Sequence, residues 1–337
     1  MPKYGLAQQR APADNFHTSL SSMSIPTHRA RTDPGSAIVS PDRDALSRFL
    51  LETSGVRGVI VRLTDTWQAV RARSPYPAAV AECLGETLAA AALFTGHAKI
   101  DGRLSVQLRG TGALRSLFAE CTHAGTLRGL AQFQEPLPEP LDPRAFGAGS
   151  LLAISIENPP RDGRDAVRYQ GLVGLDADSL PQAFEDYFNQ SEQLPTRILL
   201  ATDEHVAAGI MLQRLPLAER TEDKDSDGWQ RATALLDTLR RDELLGLPVG
   251  QVLFRLFHDD EVRMLDSRPL QFACSCSTER VTSMLQSLGR EEAIAATAGG
   301  QAEITCEFCG QTYVFSKAEI TAMFSNMTHV PAPERLQ

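Results

Sequence analysis

The chain is short of several things, and each shortage narrows what it can do. Its 337 residues hold only six cysteines, and 33 Lys and Arg stand against 42 Asp and Glu, for a formal charge of −9. A general nucleic-acid or anionic-membrane binder needs clustered Lys and Arg, so neither partner is expected. No apolar run approaches the roughly 18 residues that span a bilayer. The most apolar stretch, AAVAECLGETLAAAALF, is interrupted by Glu82, Gly85 and Glu86 and reads as a buried helix of a soluble protein. Residues 1–42 lack the apolar core of a secretory signal and are expected to form a disordered extension. The expected location is therefore cytoplasmic, where thiols stay reduced and structural disulfides are rare. There is no nucleophile elbow, P-loop or dinucleotide fingerprint, and Glu185, Asp186 and Tyr187 in FEDYF have no partner base, so catalysis is not expected.

What is present is a patterned chain with 42% hydrophobic residues, enough for a sizeable core. DALSRFLLET (44–53) has helical spacing, with Leu46, Phe49 and Leu50 on one face. Strands are expected at VRGVIVRL, RLSVQLRG, LRGLAQF, SLLAISIE and RYQGLVGL, and as a pair at RILLAT and AGIMLQRL around an exposed loop at Asp203–His205. Helices are expected from Pro77 to His97 and over SLPQAFEDYFNQSEQ. PLPEPLDP (136–143) and NPPRDGRD (158–165) read as a connector and a loop. Strands in runs with few long helices predict an α+β core over residues 43–217.

The character changes at LAERTEDKDSDG, an acidic hinge. Two amphipathic helices follow, one with Trp229, Ala232, Leu235, Leu236 and Leu239 on a face, the other with Val249, Val252, Leu253, Leu256 and Phe257. Pro248 suits the first turn of the second. Residues 219–261 carry six basic against eleven acidic side chains. So small and charged a helical pair must dock on a neighbour, which makes residues 218–267 a helical linker. Residues 268–325 form a compact module: a helix near 278–288 stopped by Gly289, a shorter one near 290–298, a hairpin through AEITCEFCGQTYVF and a last helix from Lys317. Residues 326–337 read as a flexible tail.

Four cysteines fall in that module as C-x-C and C-x-x-C: Cys274, Cys276, Cys306 and Cys309. Two thiolate pairs flanking a small supersecondary unit are the layout of a tetrahedral four-sulfur zinc site. In extended chain, side chains i and i+2 point the same way, so Cys274 and Cys276 can aim at one ion. Gly310 supplies the positive φ that closes the CEFCG knuckle. A module this small needs a staple, and zinc supplies one. A thioredoxin-type pair would instead precede a helix, whereas Cys309 leads into strand-like GQTYVF. Cys83 and Cys121 read as buried small hydrophobes, and His97, His123 and His258 as isolated. With Arg280, Arg290 and Lys317 against six glutamates over 272–320, the module is a poor phosphate binder. Zinc-bound thiolates are also what oxidants attack, so the site is either structural or redox-sensitive.

The CSC…CEFCG spacing resembles the zinc signature of the thirty-three-kilodalton heat-shock proteins, redox-regulated holdase chaperones. YQGLVGL followed by SLPQAFEDYFNQSEQLPT resembles that family's core motif, and RGVIVRL, VQLRGTG and LPVGQVLFRLFHDDEV fit at the expected positions, covering about residues 43–324. The resemblance implies zinc on Cys274, Cys276, Cys306 and Cys309 in the reduced state. It implies that oxidation forms Cys274–Cys276 and Cys306–Cys309 disulfides with zinc release and linker unfolding. It implies binding of unfolding client proteins without ATP, with dimerisation on activation. The competing expectation is an adaptor with a purely structural zinc ribbon.

Overall fold

The computed structural model describes residues 44–98, 100–160, 165–216 and 227–325. The extension 1–42, most of the acidic hinge and the tail 326–337 lie outside them. Element order begins β1 (Ala45–Leu51), β2 (Val56–Leu63), α1 (Asp65–Arg71), α2 (Ala78–His97), β3 (Arg103–Arg109), β4 (Leu114–Thr122) and β5 (Thr126–Phe133). It continues β6 (Leu151–Asn158), β7 (Val167–Gly174), α3 (Leu180–Tyr187), β8 (Thr196–Thr202) and β9 (Ala207–Arg214). Then come α4 (Gly228–Leu236), α5 (Arg241–Gly246), α6 (Val249–Phe257), β10 (Val262–Pro269) and β11 (Gln271–Phe272). The C-terminal module holds α7 (Thr278–Leu288), α8 (Arg290–Ala295), β12 (Gln301–Thr305), β13 (Thr312–Ser316) and α9 (Lys317–Ser325).

Two sheets face each other across α2. The first runs β10-β1-β2-β9-β8 and the second β11-β5-β4-β3-β6-β7, antiparallel throughout except where β11 joins β5. Strand periodicity explains the layering. Val59, Val61, Ala207 and Met211 of the first sheet point at α2, while Ile60, Ala208, Ile210 and Leu212 point away from it. Leu104, Val106, Leu117 and Leu152 of the second sheet close over the other side of the helix. A helix sealed on both sides must be apolar nearly all round, and α2 is. It is also long and apolar enough to cross a membrane by length and composition, but 78% of that window is buried inside the protein. Gly85 lets it approach β8, since a Cβ there would collide with the Thr202 side chain.

The outward face of the first sheet is covered by the linker helices. Ala232, Leu236, Leu239, Leu244, Val252, Leu253, Leu256 and Phe257 form one apolar cluster with Phe49, Ile60, Ile210 and Leu212. Charged ties surround it. Arg241 reaches Glu82 (2.8 Å), Glu86 (3.4 Å) and the Thr202 carbonyl (2.8 Å). Asp260 accepts from Ser54 (2.8 Å) and Arg231 (3.3 Å) in a buried position.

Several expectations change. Residues 44–53 are not a helix but strand β1. Leu46 packs toward α2, whereas Phe49 and Leu51 pack toward the linker helices. A strand buried on both faces loses its alternation, and its apolar positions then mimic helical spacing. The linker has three helices: the first ends at Leu236, and a turn carries Leu239 into α5. Its last part is a strand, because β10 pairs along the whole of β1. The helix after Ser179 converts at Phe188 to one π turn over Phe188–Glu192, and α8 stops at Ala295. The other strands expected from the pattern, the long Ala-rich helix and the hairpin of the module lie where the sequence places them.

Candidate metal centre

Backbone pairing delivers the four sulfurs to one point. β11 adds to β5 in parallel, and the Ala273 amide donates to the Leu127 carbonyl at 3.0 Å, which fixes the chain one residue before Cys274. Arg280 then donates to the carbonyl (2.9 Å) and hydroxyl (2.6 Å) of Ser275, holding the C-x-C bend. Ser277 caps α7 by accepting from the Arg280 amide. On the other side, β12 and β13 pair up to Thr305 and Thr312. Beyond that pair the Cys306 amide donates to Gln311 (2.9 Å) and the Gly310 amide donates to the Cys306 carbonyl (2.8 Å). Gly310 has φ +74°, the conformation expected of it.

The ligand atoms of Cys274, Cys276, Cys306 and Cys309 all lie within 4.8 Å of one another, and among the described residues this is the cluster able to hold a metal. Sγ–Sγ separations are 3.7 Å for Cys274–Cys306 and 3.3 Å for Cys276–Cys309. Four sulfurs about 2.3 Å from a zinc ion form a tetrahedron with edges of about 3.8 Å, so the set fits that ion in donor chemistry and in scale. All four are free thiols in partly buried positions. Taken by themselves they cannot share charge equally. The Tyr313 hydroxyl bonds to Cys276 and pulls its pKa down to about 7. Burial pushes Cys309 up to about 12 and also raises Cys274. A divalent cation is what lets all four ionise together.

Cys83 and Cys121 are elsewhere, on α2 and β4, with burial pushing them up to about 12 and about 11. Both are inert on that account, and none of His97, His123 and His258 belongs to the sulfur cluster.

Sequence reasoning did not anticipate how the site meets the core. Phe308, between two of the cysteines, packs edge-on against Phe118 of β4 (centroids 5.5 Å) and beneath the Arg128 guanidinium (4.3 Å). Arg128 is itself gripped by the buried Glu120 at 2.9 and 3.3 Å. Arg73 donates to the Cys309 carbonyl (3.2 Å) and lies over Phe272. The signals were there in outline. Phe118 is an aromatic on the outward face of an alternating strand, and Phe308 is an apolar residue at the tip of a knuckle. Their partners, 190 positions apart, were not legible.

An α+β core of two sheets around one helix, a helical layer and a four-thiol knuckle module together define a class of protein, and the comparisons place it. The chain matches the Hsp33 protein family over residues 44–316. It is 41% identical to the 33 kDa chaperonin of Pseudomonas syringae pv. tomato, covering 85% of this chain and 95% of that one. It is 42% identical to the 33 kDa chaperonin of Ectopseudomonas mendocina, covering 84% and 95%. The crystal structure of the 33 kDa chaperonin from Thermotoga maritima superposes with a TM-score of 0.71 at 20% identity, covering 86% of this chain and all of that one, a likeness of fold. The chain belongs to the Hsp33 family, and its function is that of a chaperone.

Proposed function

We propose that this chaperone is an ATP-independent holdase switched on by oxidation of Cys274, Cys276, Cys306 and Cys309. In this reading residues 43–217 are the client-binding core, 218–267 a metastable linker and 268–325 a zinc-binding switch module, flanked by the extension 1–42 and the tail 326–337. The observation that carries it is the double role of one knuckle. Cys306 and Cys309 sit in the sulfur cluster, and Phe308 between them holds the module to the core. Sulfur chemistry and docking are thereby coupled within four residues.

When bound, zinc supplies the charge that keeps four thiolates together and roughly 10 kcal/mol or more of folding energy. The module has little else. Its apolar core is Val281, Leu285, Ala293, Ala302, Phe315 and Ile320, too few for a stand-alone fold. Oxidation converts two cysteine thiols to one disulfide and passes two electrons to peroxide, giving water, or to hypochlorite, giving chloride and water. Cys274 with Cys276 and Cys306 with Cys309 are the proposed pairs, and forming them removes the ligand set. The module then unfolds and the linker loses its anchor. Apolar surface under the linker becomes available to unfolding client proteins. A cytoplasmic location and a homodimer of the activated form belong to the same reading.

Light scattering of a heat-denaturing client tests it. Reduced zinc-loaded protein is expected to leave aggregation unchanged, and hypochlorite-treated protein to suppress it. Equal behaviour of the two forms favours the adaptor with a structural zinc ribbon and sinks the switch. Peptide mapping tests the pairing, because the short sulfur contacts at 3.7 and 3.3 Å run between the two halves of the site. A Cys274–Cys306 link in the oxidised protein would overturn it.

A further inference from the structure

The two large sheets have four edges, and three are protected. β10 is broken by a register shift opposite Arg48 and Phe49 and carries Arg263, Asp266, Arg268 and Pro269. The Ile198 amide on β8 donates to the Glu185 carboxylate of α3 at 2.8 Å, so that edge is capped. β11 is two residues long and leads straight into the sulfur cluster. These are the ordinary devices that stop a sheet from recruiting another strand.

β7 is the least protected of the four. It is eight residues long, lies at the end of the second sheet, and pairs with β6 without interruption from Leu151 with Gly174 to Asn158 with Val167. Its one charged residue, Arg168, is paired with Glu157 (3.6 Å). It contains no proline. Large apolar side chains are exposed on both of its faces: Val167 (60%) and Tyr169 (43%) on one, and Leu172 (57%) on the other, with Leu151 of β6 (41%) beside it. A strand added here would find apolar neighbours for odd and even positions alike, and the charges beside them, Arg168 and Glu192, are engaged with Glu157 (3.6 Å) and the Tyr169 hydroxyl (3.0 Å). An amphipathic surface strand does not match that demand. A stretch taken from a protein interior does, since its side chains are apolar on both sides.

We propose that the β7 edge is a strand-addition site for extended, uncharged, apolar segments of unfolding clients. Backbone hydrogen bonds supply the sequence tolerance a chaperone needs, and Val167, Tyr169 and Leu172 select for apolar side chains. This rests on the holdase reading and adds to it a site that the linker does not cover, so it is open in both redox states. The cleft next to it, about 670 Å³, is lined by Val167 and Arg168 on the core and by Ser275 and Arg280 of the module. Arg103, Glu120 and Glu157 line it too, so release of the module opens the sheet face beside this edge.

The test uses the full chain, reduced and oxidised, and a fluorescein-labelled eight-residue peptide of valine, threonine and phenylalanine followed by fluorescence anisotropy. Binding is expected in both forms, tighter when oxidised. The same peptide N-methylated at alternate backbone amides is expected to bind at least tenfold more weakly, because its side chains are intact but its strand edge is blocked. The pair Val167→Lys and Leu172→Lys, both at exposed positions, is expected to weaken the unmodified peptide by the same factor. No peptide binding, equal binding of the N-methylated peptide, or equal binding by the lysine variant would overturn the site. So would a lysine variant that changes only the sedimentation of the chain, which would assign the edge to a second copy. Client light scattering is run alongside. If oxidised wild-type protein fails to suppress aggregation, the holdase reading fails whatever the peptide does. If it suppresses aggregation while the peptide arms fail, only the β7 site is lost.

Discussion

The linker helices and the C-terminal module are both laid on the outside of the core, on opposite sheets, and they are held in different ways. The linker is fixed by area: eight buried apolar side chains from three helices and the turn between the first two meet a sheet face that is apolar in return. The module has six buried apolar residues of its own and touches the core through a few contacts around Phe308 and Arg73. Area is insensitive to any one atom, whereas a four-sulfur site fails when one ligand is changed. On the proposed reading the two layers divide the labour of a switch between a trigger and a load. They are joined by β10 and β11, which leave α6 and arrive at Cys274.

The largest effect is expected at the trigger. Cys306→Ser is expected to take bound zinc from about one ion per chain to near zero and to abolish amide protection over 278–325 in the reduced protein. Zinc assay with hydrogen exchange checks it, and retained zinc would dismiss Cys306 as a ligand. Next is the load. Phe257→Ala is expected to weaken linker docking by about 3–5 kcal/mol, the usual range for a buried aromatic. Exchange should rise over 228–257 while zinc content stays unchanged; a parallel loss of zinc would mean the two layers are not separable. A smaller effect is expected at the contact between trigger and core. Phe308→Ala should keep the metal and lose about 1–2 kcal/mol of docking from the ring pair and the guanidinium contact. Chemical cross-linking between module and core reads this directly.

The smallest effect sharpens the linker side through pH. Burial, followed by the charge of Glu82, pushes Glu86 up to about 7 even with Arg241 against it. Burial outweighs the Arg241 contact, so the folded chain holds this carboxyl above its ordinary value. Its contribution to stability is therefore complete below the ordinary carboxylate value and is lost as pH rises through about 7. Melting of the reduced chain should shift to lower temperature between about pH 5 and 7 on this account. Glu86→Gln should flatten that profile, and an unchanged slope would remove Glu86 from the account.

The four-cysteine cluster was legible because its grammar is local: cysteine spacing, a glycine with positive φ and a hairpin are all written within 37 residues, from Cys274 to Gly310. Strands with one wet face, such as β3, were legible for the same reason. β1 was not, because helices over residues 228–257 and the α2 helix bury opposite sides of it, and burial on both sides erases the period. β10 escaped notice because three of its eight residues are charged and it takes its strand form from pairing with a partner more than 200 residues earlier. The same holds for Phe118, Arg128 and Phe308, whose meeting is a product of the finished fold. Glu86 looked like an interruption in an apolar helix; the structure makes it the seat for Arg241.

β10 has a mechanical consequence. Eight residues of strand, roughly 27 Å of contour at about 3.4 Å each, separate α6 from the two-residue β11, and they pair with β1 from Val262 to Pro269 with one register shift. A tug applied at Cys274 would therefore reach α6 only after the pairing of β11 with β5 parts and then those of β10, from Pro269 back to Val262. On the proposed reading the seam would open from one end, like a tear strip.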